Sequence, residues 1–218
     1  MELKGKKIAF LGDSITQGVG TSADEHIFLN VIARETGAEC FNYGRSGTRI
    51  AWQRDQRDLP ADAIPFYTRV EDMIPDADVV VVFGGTNDFG HGDAPMGTMS
   101  DRREDTFYGA YHVLMEKLIV KYPTAQLIVM TPLHRLGEDE MPLNERKVRR
   151  AATLGGYVQA IRQVAEFYGV PVVDLYANCM IQPRVPVLQQ MYLPDGLHPS
   201  DAGNALIAKC LLSTLKAL

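Results

Sequence analysis

Short apolar runs alternate along the chain with longer amphipathic stretches, the rhythm of strand-to-helix units built around a parallel sheet. Five runs read as strands: Lys7–Leu11 (KIAFL), Glu39–Tyr43 (ECFNY), Asp78–Phe83 (DVVVVF), Gln126–Met130 (QLIVM) and Val170–Leu175 (VPVVDL). The third is apolar at every position after Asp78, as a central strand covered by helices on both faces must be. Helices are predicted over about Ala23–Thr36, closed by Gly37, about Ile64–Met73, stopped near Pro75, and about Glu104–Lys121, ahead of Pro123. Two more follow, roughly Glu145–Tyr168 with Gly169 beyond it, and Ser200–Ala217, where Ser200 offers an N-cap hydroxyl.

No internal repeat, low-complexity tract or Ser/Gly linker interrupts this pattern, so residues 1–218 read as one α/β domain. At that length folding buries roughly 70% of the surface exposed by the unfolded chain, and no disulfide staple is required. The composition, 46% hydrophobic and 22% charged with a net charge of −5, adds an exclusion. Basic residues come in nothing longer than pairs such as Lys6-Lys7, so there is no electrostatic footprint for nucleic acid or an anionic membrane. Cys40, Cys179 and Cys210 are too sparse for a disulfide framework or a CxxC pair and read as buried free thiols. The apolar segment after Lys7 is too short for a signal-peptide core, and no stretch has the length of a membrane span, so the sequence as it stands reads as cytoplasmic.

In an open parallel sheet, sites form outside the carboxyl ends of the strands. The loops there hold Gly12-Asp13-Ser14-Ile15-Thr16, Asn42-Tyr43-Gly44-Arg45-Ser46-Gly47 and Gly84-Gly85-Thr86-Asn87-Asp88, and Asp195-Gly196-Leu197-His198-Pro199 precedes the last helix. A serine hydroxyl is a poor nucleophile unless a base lies within hydrogen-bond reach and a third group holds that base in the right tautomer. Ser14, His198 and Asp195 supply those parts, with Asp195 and His198 one tight turn apart. Acyl transfer also needs donors for the oxyanion of the tetrahedral intermediate. The backbone N–H groups of Ser14 and Gly44 and the carboxamide of Asn87 are the candidates.

These four blocks, in this order, resemble the SGNH hydrolase superfamily of GDSL-type esterases and lipases. The resemblance runs from about residue 7 to the final helix. It implies a flavodoxin-like three-layer α/β/α sandwich with Ser14 as nucleophile in the GDS block, Gly44 as the N-x-G donor, Asn87 as the G-x-N-D donor, and Asp195 and His198 as the D-x-x-H pair. Ile15 stands where the name-giving motif has leucine, as in the family's GDSI members. The G-x-S-x-G nucleophile elbow is absent, which counts against an α/β-hydrolase fold. No metal or organic cofactor is called for.

Several residues have blander readings. Asp13 is expected to form a turn, and Asp88 to order its loop. Asp174, at the end of the fifth strand, rivals Asp195 as the third member; local spacing to His198 favours Asp195. His26 and His112 fall in helix patterns, whereas His91 and His134 lie in loops on the catalytic side and are candidates to touch substrate. The apolar run from Met180 to Tyr192 reads as packing ahead of an acyl-pocket wall, and Trp52 and Tyr43 as either core or substrate platforms. The expected partner is a small-molecule or carbohydrate ester. Short acyl chains, such as acetyl groups on sugars, are favoured because the predicted elements leave few long insertions for a lid. Lysophospholipase or thioesterase activity is the alternative within the family. Outside it stand a metal-dependent hydrolase using Asp13, Asp88, Asp195 and His198, and a non-catalytic carbohydrate-binding module.

Overall fold

The computed structural model describes residues 1–54, 64–140, 143 and 149–218. Within them lies one sheet of five parallel strands, β1 (Lys7–Gly12), β2 (Glu39–Gly44), β3 (Val79–Phe83), β4 (Gln126–Met130) and β5 (Val172–Val173), ordered β2-β1-β3-β4-β5. The helices are α1 (Ser14–Gln17), α2 (Phe28–Thr36), α3 (Thr86–His91), α4 (Phe107–Lys121), α5 (Leu154–Phe167), α6 (Leu175–Asn178), α7 (Pro186–Tyr192) and α8 (Asp201–Ala217). The strand order is that of a flavodoxin-like fold, whose direction of winding reverses between β1 and β3.

Alternation along each strand explains the layers. Ala9, Leu11, Val80, Val82, Leu127 and Val129 pack into a core with residues of α4 and α5, whereas Ile8, Phe10, Val79, Val81, Ile128 and Met130 join residues of α2 and α8. Both faces are therefore covered, and the result is the expected α/β/α sandwich. The edge strand β5 is shorter than its apolar run because Pro171 has no amide to give the ladder. Beyond it Asp174 turns away to cap α6, accepting from the Ala177 amide at 3.1 Å.

Four of the five expected helices differ in their bounds or type from the sequence reading. Ala23–Thr36 is split: Asp24–His26 form a 3-10 turn, Ile27 is extended at φ −61° and ψ 133°, and α2 starts at Phe28. The Phe28 amide is captured by the buried Asn204 side chain of α8 at 3.1 Å, a cap supplied from the far end of the chain. Ile64–Met73 becomes the 3-10 turn Phe66–Asp72, in which residues three apart eclipse. That spacing lays the Arg69 guanidinium over the Phe66 ring, 4.6 Å from its centroid. Helix α4 begins at Phe107 because Thr106 caps it, accepting from Gly109 N at 3.1 Å. Helix α5 starts at Leu154; of the expected Glu145–Tyr168, residues 145–148 lie outside the described residues. The last helix begins as expected, with Ser200 Oγ accepting from Gly203 N at 3.2 Å.

The run from Met180 to Tyr192 departs from the packing expectation. Ile181 is buried and the half-buried Tyr192 packs against the core, but Met180, Val185, Val187 and Met191 are exposed, and no residue of α7 is fully buried. Among the described residues no helix is long and apolar enough to cross a membrane.

Candidate active site

Strand β1 ends in Gly12, where a Cβ would come within 1.9 Å of Thr16 Oγ1, so only glycine lets the chain fold back into α1 this tightly. Asp13 caps that helix, accepting from Ile15 N at 3.0 Å, and Ser14 becomes its first residue. At this position a helix provides no internal acceptor for the backbone N–H.

The second half of the site is the loop before α8. Asp195 Oδ1 accepts from Leu197 N at 2.9 Å and from His198 N at 2.7 Å, a turn held by the aspartate's own side chain. Gly196 makes the turn with φ +82°. Asp195 Oδ2 lies 2.7 Å from His198 Nδ1, and His198 Nε2 lies 3.1 Å from Ser14 Oγ. A carboxylate can only accept, so Nδ1 carries the proton and Nε2 is left to accept from the serine hydroxyl. Burial opposes the Asp195 charge, but the His198 amide, the His198 ring and the Leu197 amide outweigh it and hold the carboxyl below its ordinary range.

Ser14 and His198 are 184 residues apart, and a set of polar bonds fastens their loops together. Ser22 donates from N and Oγ to Asp201 at 2.8 and 2.6 Å. Asn204, besides capping α2, donates to Pro199 O at 3.0 Å and Ser200 O at 3.1 Å. Gly20 lies so close that a Cβ would sit 3.0 Å from His198 Cβ. From β4's loop, Leu136 N donates to Gly196 O at 2.9 Å.

Gly44, paired with Gly12 across the β1–β2 register, packs against α1 so closely that a Cβ would meet Gln17 N at 2.2 Å. Its amide donates to Asn42 Oδ1 at 2.8 Å, an acceptor that an oxyanion would have to replace or share. Asn87, on α3, donates from Nδ2 to Thr48 O at 3.0 Å. The adjacent Asp88 accepts from Ile50 N at 2.9 Å and Ala51 N at 3.0 Å, ordering the loop that begins at Thr48. Beneath these loops the buried Arg69 donates to Tyr43 O at 2.8 Å, Gly12 O at 3.0 Å and Thr48 Oγ1 at 3.1 Å. The guanidinium thus ties together the ends of β1 and β2 and the Thr48 loop, a role with no local sequence signal.

The remaining candidates have other partners. Asp174 is held by Arg162 through Nε at 2.9 Å and NH2 at 3.0 Å, away from His198. His134 bonds the Glu138 carboxylate at 2.8 Å and stacks on Tyr176, and the buried His112 lies 3.0 Å from Tyr168 Oη. Tyr43 accepts from Ile74 N through its hydroxyl at 2.9 Å, a structural contact, whereas Trp52 is exposed. All three cysteines are free thiols, of which only Cys179 is fully buried, and the fold brings Cys179 and Cys210 within 3.4 Å. His91 ends α3 and bonds Asn87 and Arg49, contacts foreshadowed only by the four-residue spacing of Asn87 and His91.

Burial pushes the carboxyls of Asp13 and Asp88 up to about 6, against the pull of the amides that they accept from and of nearby Arg69 and Arg49 respectively. At these two positions the folded chain therefore binds more protons than the unfolded one between roughly pH 4 and pH 6, and the stability they contribute falls as pH rises through that window. In Asp13→Asn the carboxamide oxygen can still accept from Ile15. We expect the unfolding free energy of this variant to gain on that of the wild type by roughly 2 kcal/mol from pH 4 to pH 6. Urea denaturation at both pH values measures the difference, and a constant gap contradicts it.

The model of the GDSL-like Lipase/Acylhydrolase family matches residues 10–206. No curated protein matches the chain. Among solved structures, a Lactobacillus plantarum protein is 30% identical with a TM-score of 0.83, covering 99% of this chain and 98% of its own. An acetyl xylan esterase is 25% identical with a TM-score of 0.66, covering 95% of this chain and 98% of its own. A lipase/acylhydrolase from Enterococcus faecalis, 20% identical with a TM-score of 0.66 and covering 97% of this chain and 96% of its own, shares the fold.

Proposed function

The chain belongs to the GDSL-like lipase/acylhydrolase family of the SGNH hydrolase superfamily, and we propose that it is a serine esterase for short acyl esters. Membership makes it a carboxylic ester hydrolase. The reading of its mechanism rests on one observation, the unbroken hydrogen-bonded line from Ser14 Oγ through the His198 ring to the Asp195 carboxylate.

In this mechanism His198 Nε2 takes the proton of Ser14 as the serine oxygen attacks the ester carbonyl. The oxyanion is received by the Ser14 and Gly44 amides and the Asn87 carboxamide. Donors held near the developing charge lower the reorganisation cost at the moment of reaction, although the Gly44 amide must release or share Asn42 Oδ1. The imidazolium, steadied by Asp195, passes its proton to the leaving alcohol. Water, deprotonated by the same nitrogen, then cleaves the acyl-enzyme and restores Ser14.

The short-acyl preference is supported by the acetyl xylan esterase among the structural relatives. Residues 1–218 are assigned to one hydrolase domain. A series of 4-nitrophenyl esters from acetate to palmitate tests the acyl preference. We expect kcat/KM to peak at acetate or butyrate and to fall at least about tenfold by octanoate, since a pocket without room for extra methylenes loses roughly 1–3 kcal/mol of transition-state binding. A maximum at long chains overturns the preference while leaving the esterase assignment intact.

A further inference from the structure

We propose that His91, held by Arg49, is a positioning residue that fixes the Asn87 carboxamide as an oxyanion donor. The inference rests on the oxyanion role given to Asn87 above. An asparagine side chain has a donor end and an acceptor end of nearly the same shape, and only its partners decide which end faces a ligand. Turned over, Asn87 would present an oxygen to the developing oxyanion and repel it.

The partners of Asn87 settle this choice. Arg49 Nε lies 2.9 Å from His91 Nδ1 and, as part of a guanidinium, can only donate. His91 Nδ1 must therefore be the bare nitrogen of a neutral ring, and the ring proton sits on Nε2. That Nε2 lies 3.0 Å from the Asn87 side-chain oxygen, which accepts from it. The carboxamide nitrogen is left facing the other way, with one N–H on Thr48 O and its second available to substrate. The three described bonds point in one direction, from cation to imidazole to amide. Polarisation along such a chain makes each donor stronger than it is alone.

The relay is also mechanically closed. Asn87 and His91 are one helical turn apart on α3 and share a face. Arg49 is buried and lies between Thr48, which accepts from Asn87, and Ile50, whose amide Asp88 holds. The relay therefore begins and ends on the same two segments, and a shift of either disturbs the amide.

The test is a double-variant cycle on 4-nitrophenyl acetate, with kcat and KM separated and thermal midpoints recorded as a folding control. His91→Ala should lower kcat about 10- to 100-fold, less than outright loss of an oxyanion donor, with KM within about twofold. His91→Gln should recover most of that loss, since its carboxamide can accept from Arg49 and donate to Asn87. In an Asn87→Ala background, His91→Ala should cost nothing further, whereas a merely structural histidine would cost the same in both. Additive losses, or an unchanged kcat in a folded His91→Ala, overturn the proposal. If Asn87→Ala itself keeps full kcat, the oxyanion role of Asn87 fails first and the relay with it. Nitrogen-15 NMR of the wild-type ring, assigned by the signal missing from His91→Gln, gives a readout independent of kinetics. It should show a protonated Nε2 and a bare Nδ1, and the opposite tautomer refutes the relay.

Discussion

Ser14→Ala should lower kcat/KM on 4-nitrophenyl acetate by about 10⁴-fold or more, the scale of loss when a serine nucleophile is removed from such a triad. The effect should be almost wholly chemical. Helix α1 is capped by Asp13 and not by Ser14, so alanine at this position leaves the local backbone intact and removes one hydrogen bond, that to His198 Nε2. The thermal midpoint should therefore stay within a few degrees of wild type. A fluorophosphonate probe should add its mass to the peptide containing Ser14 in the wild type and to no peptide in the variant. Residual activity above about 1% would remove the serine mechanism, since no other group offered here replaces a missing nucleophile.

Asp195→Asn should cost about 10³- to 10⁴-fold in kcat while leaving the loop in place, because the new carboxamide reverses the proton on the ring. The Asn oxygen would stay on the Leu197 and His198 amides that Asp195 Oδ1 now accepts from. Its nitrogen would then face His198 Nδ1, which must become an acceptor. The ring proton moves to Nε2, and the nitrogen that should receive the Ser14 proton already carries one. Asp174→Asn is the matched control: it weakens the Arg162 contact and the α6 cap, so stability should drop while kcat stays within about threefold. Steady-state kinetics on both variants decides the matter, and the reverse ranking would make Asp174 the functional acid.

The choice between these two aspartates shows how legibility divides in this protein. Asp195 and His198 are linked by a turn of four residues, so their spacing suggested the pair directly, and the structure shows the three bonds that Asp195 makes in that turn. Asp174 is a rival because it also sits at a strand end, and in the fold its carboxylate is held by Arg162, which arrives from α5. The strands were readable for a similar reason. Val79–Phe83 is buried on both faces at every residue, a condition that only an uninterrupted apolar run satisfies. Helix starts were less readable. The cap on Phe28 depends on Asn204, 176 residues away, and no residue of α7 is fully buried despite its apolar run.

Local chemistry, then, was written in the order of the residues: the apolar runs, the turn-making glycines, the serine after the first strand and the Asp-x-x-His pair before the last helix. Each depends on interactions within a few positions, where backbone geometry fixes what a side chain can reach. The folded arrangement alone decided which distant groups became partners. It placed the Ser14 hydroxyl on His198, Asn204 between the His198 loop and the start of α2, Arg69 under the ends of β1 and β2 and the Thr48 loop, and His91 beside Asn87. Those contacts follow from the 2-1-3-4-5 strand order and from two-sided packing, which bring the loop after β1 and the loop before α8 together. Such pairings are selected by the free energy of the whole core and leave no periodicity in the sequence from which they could be read.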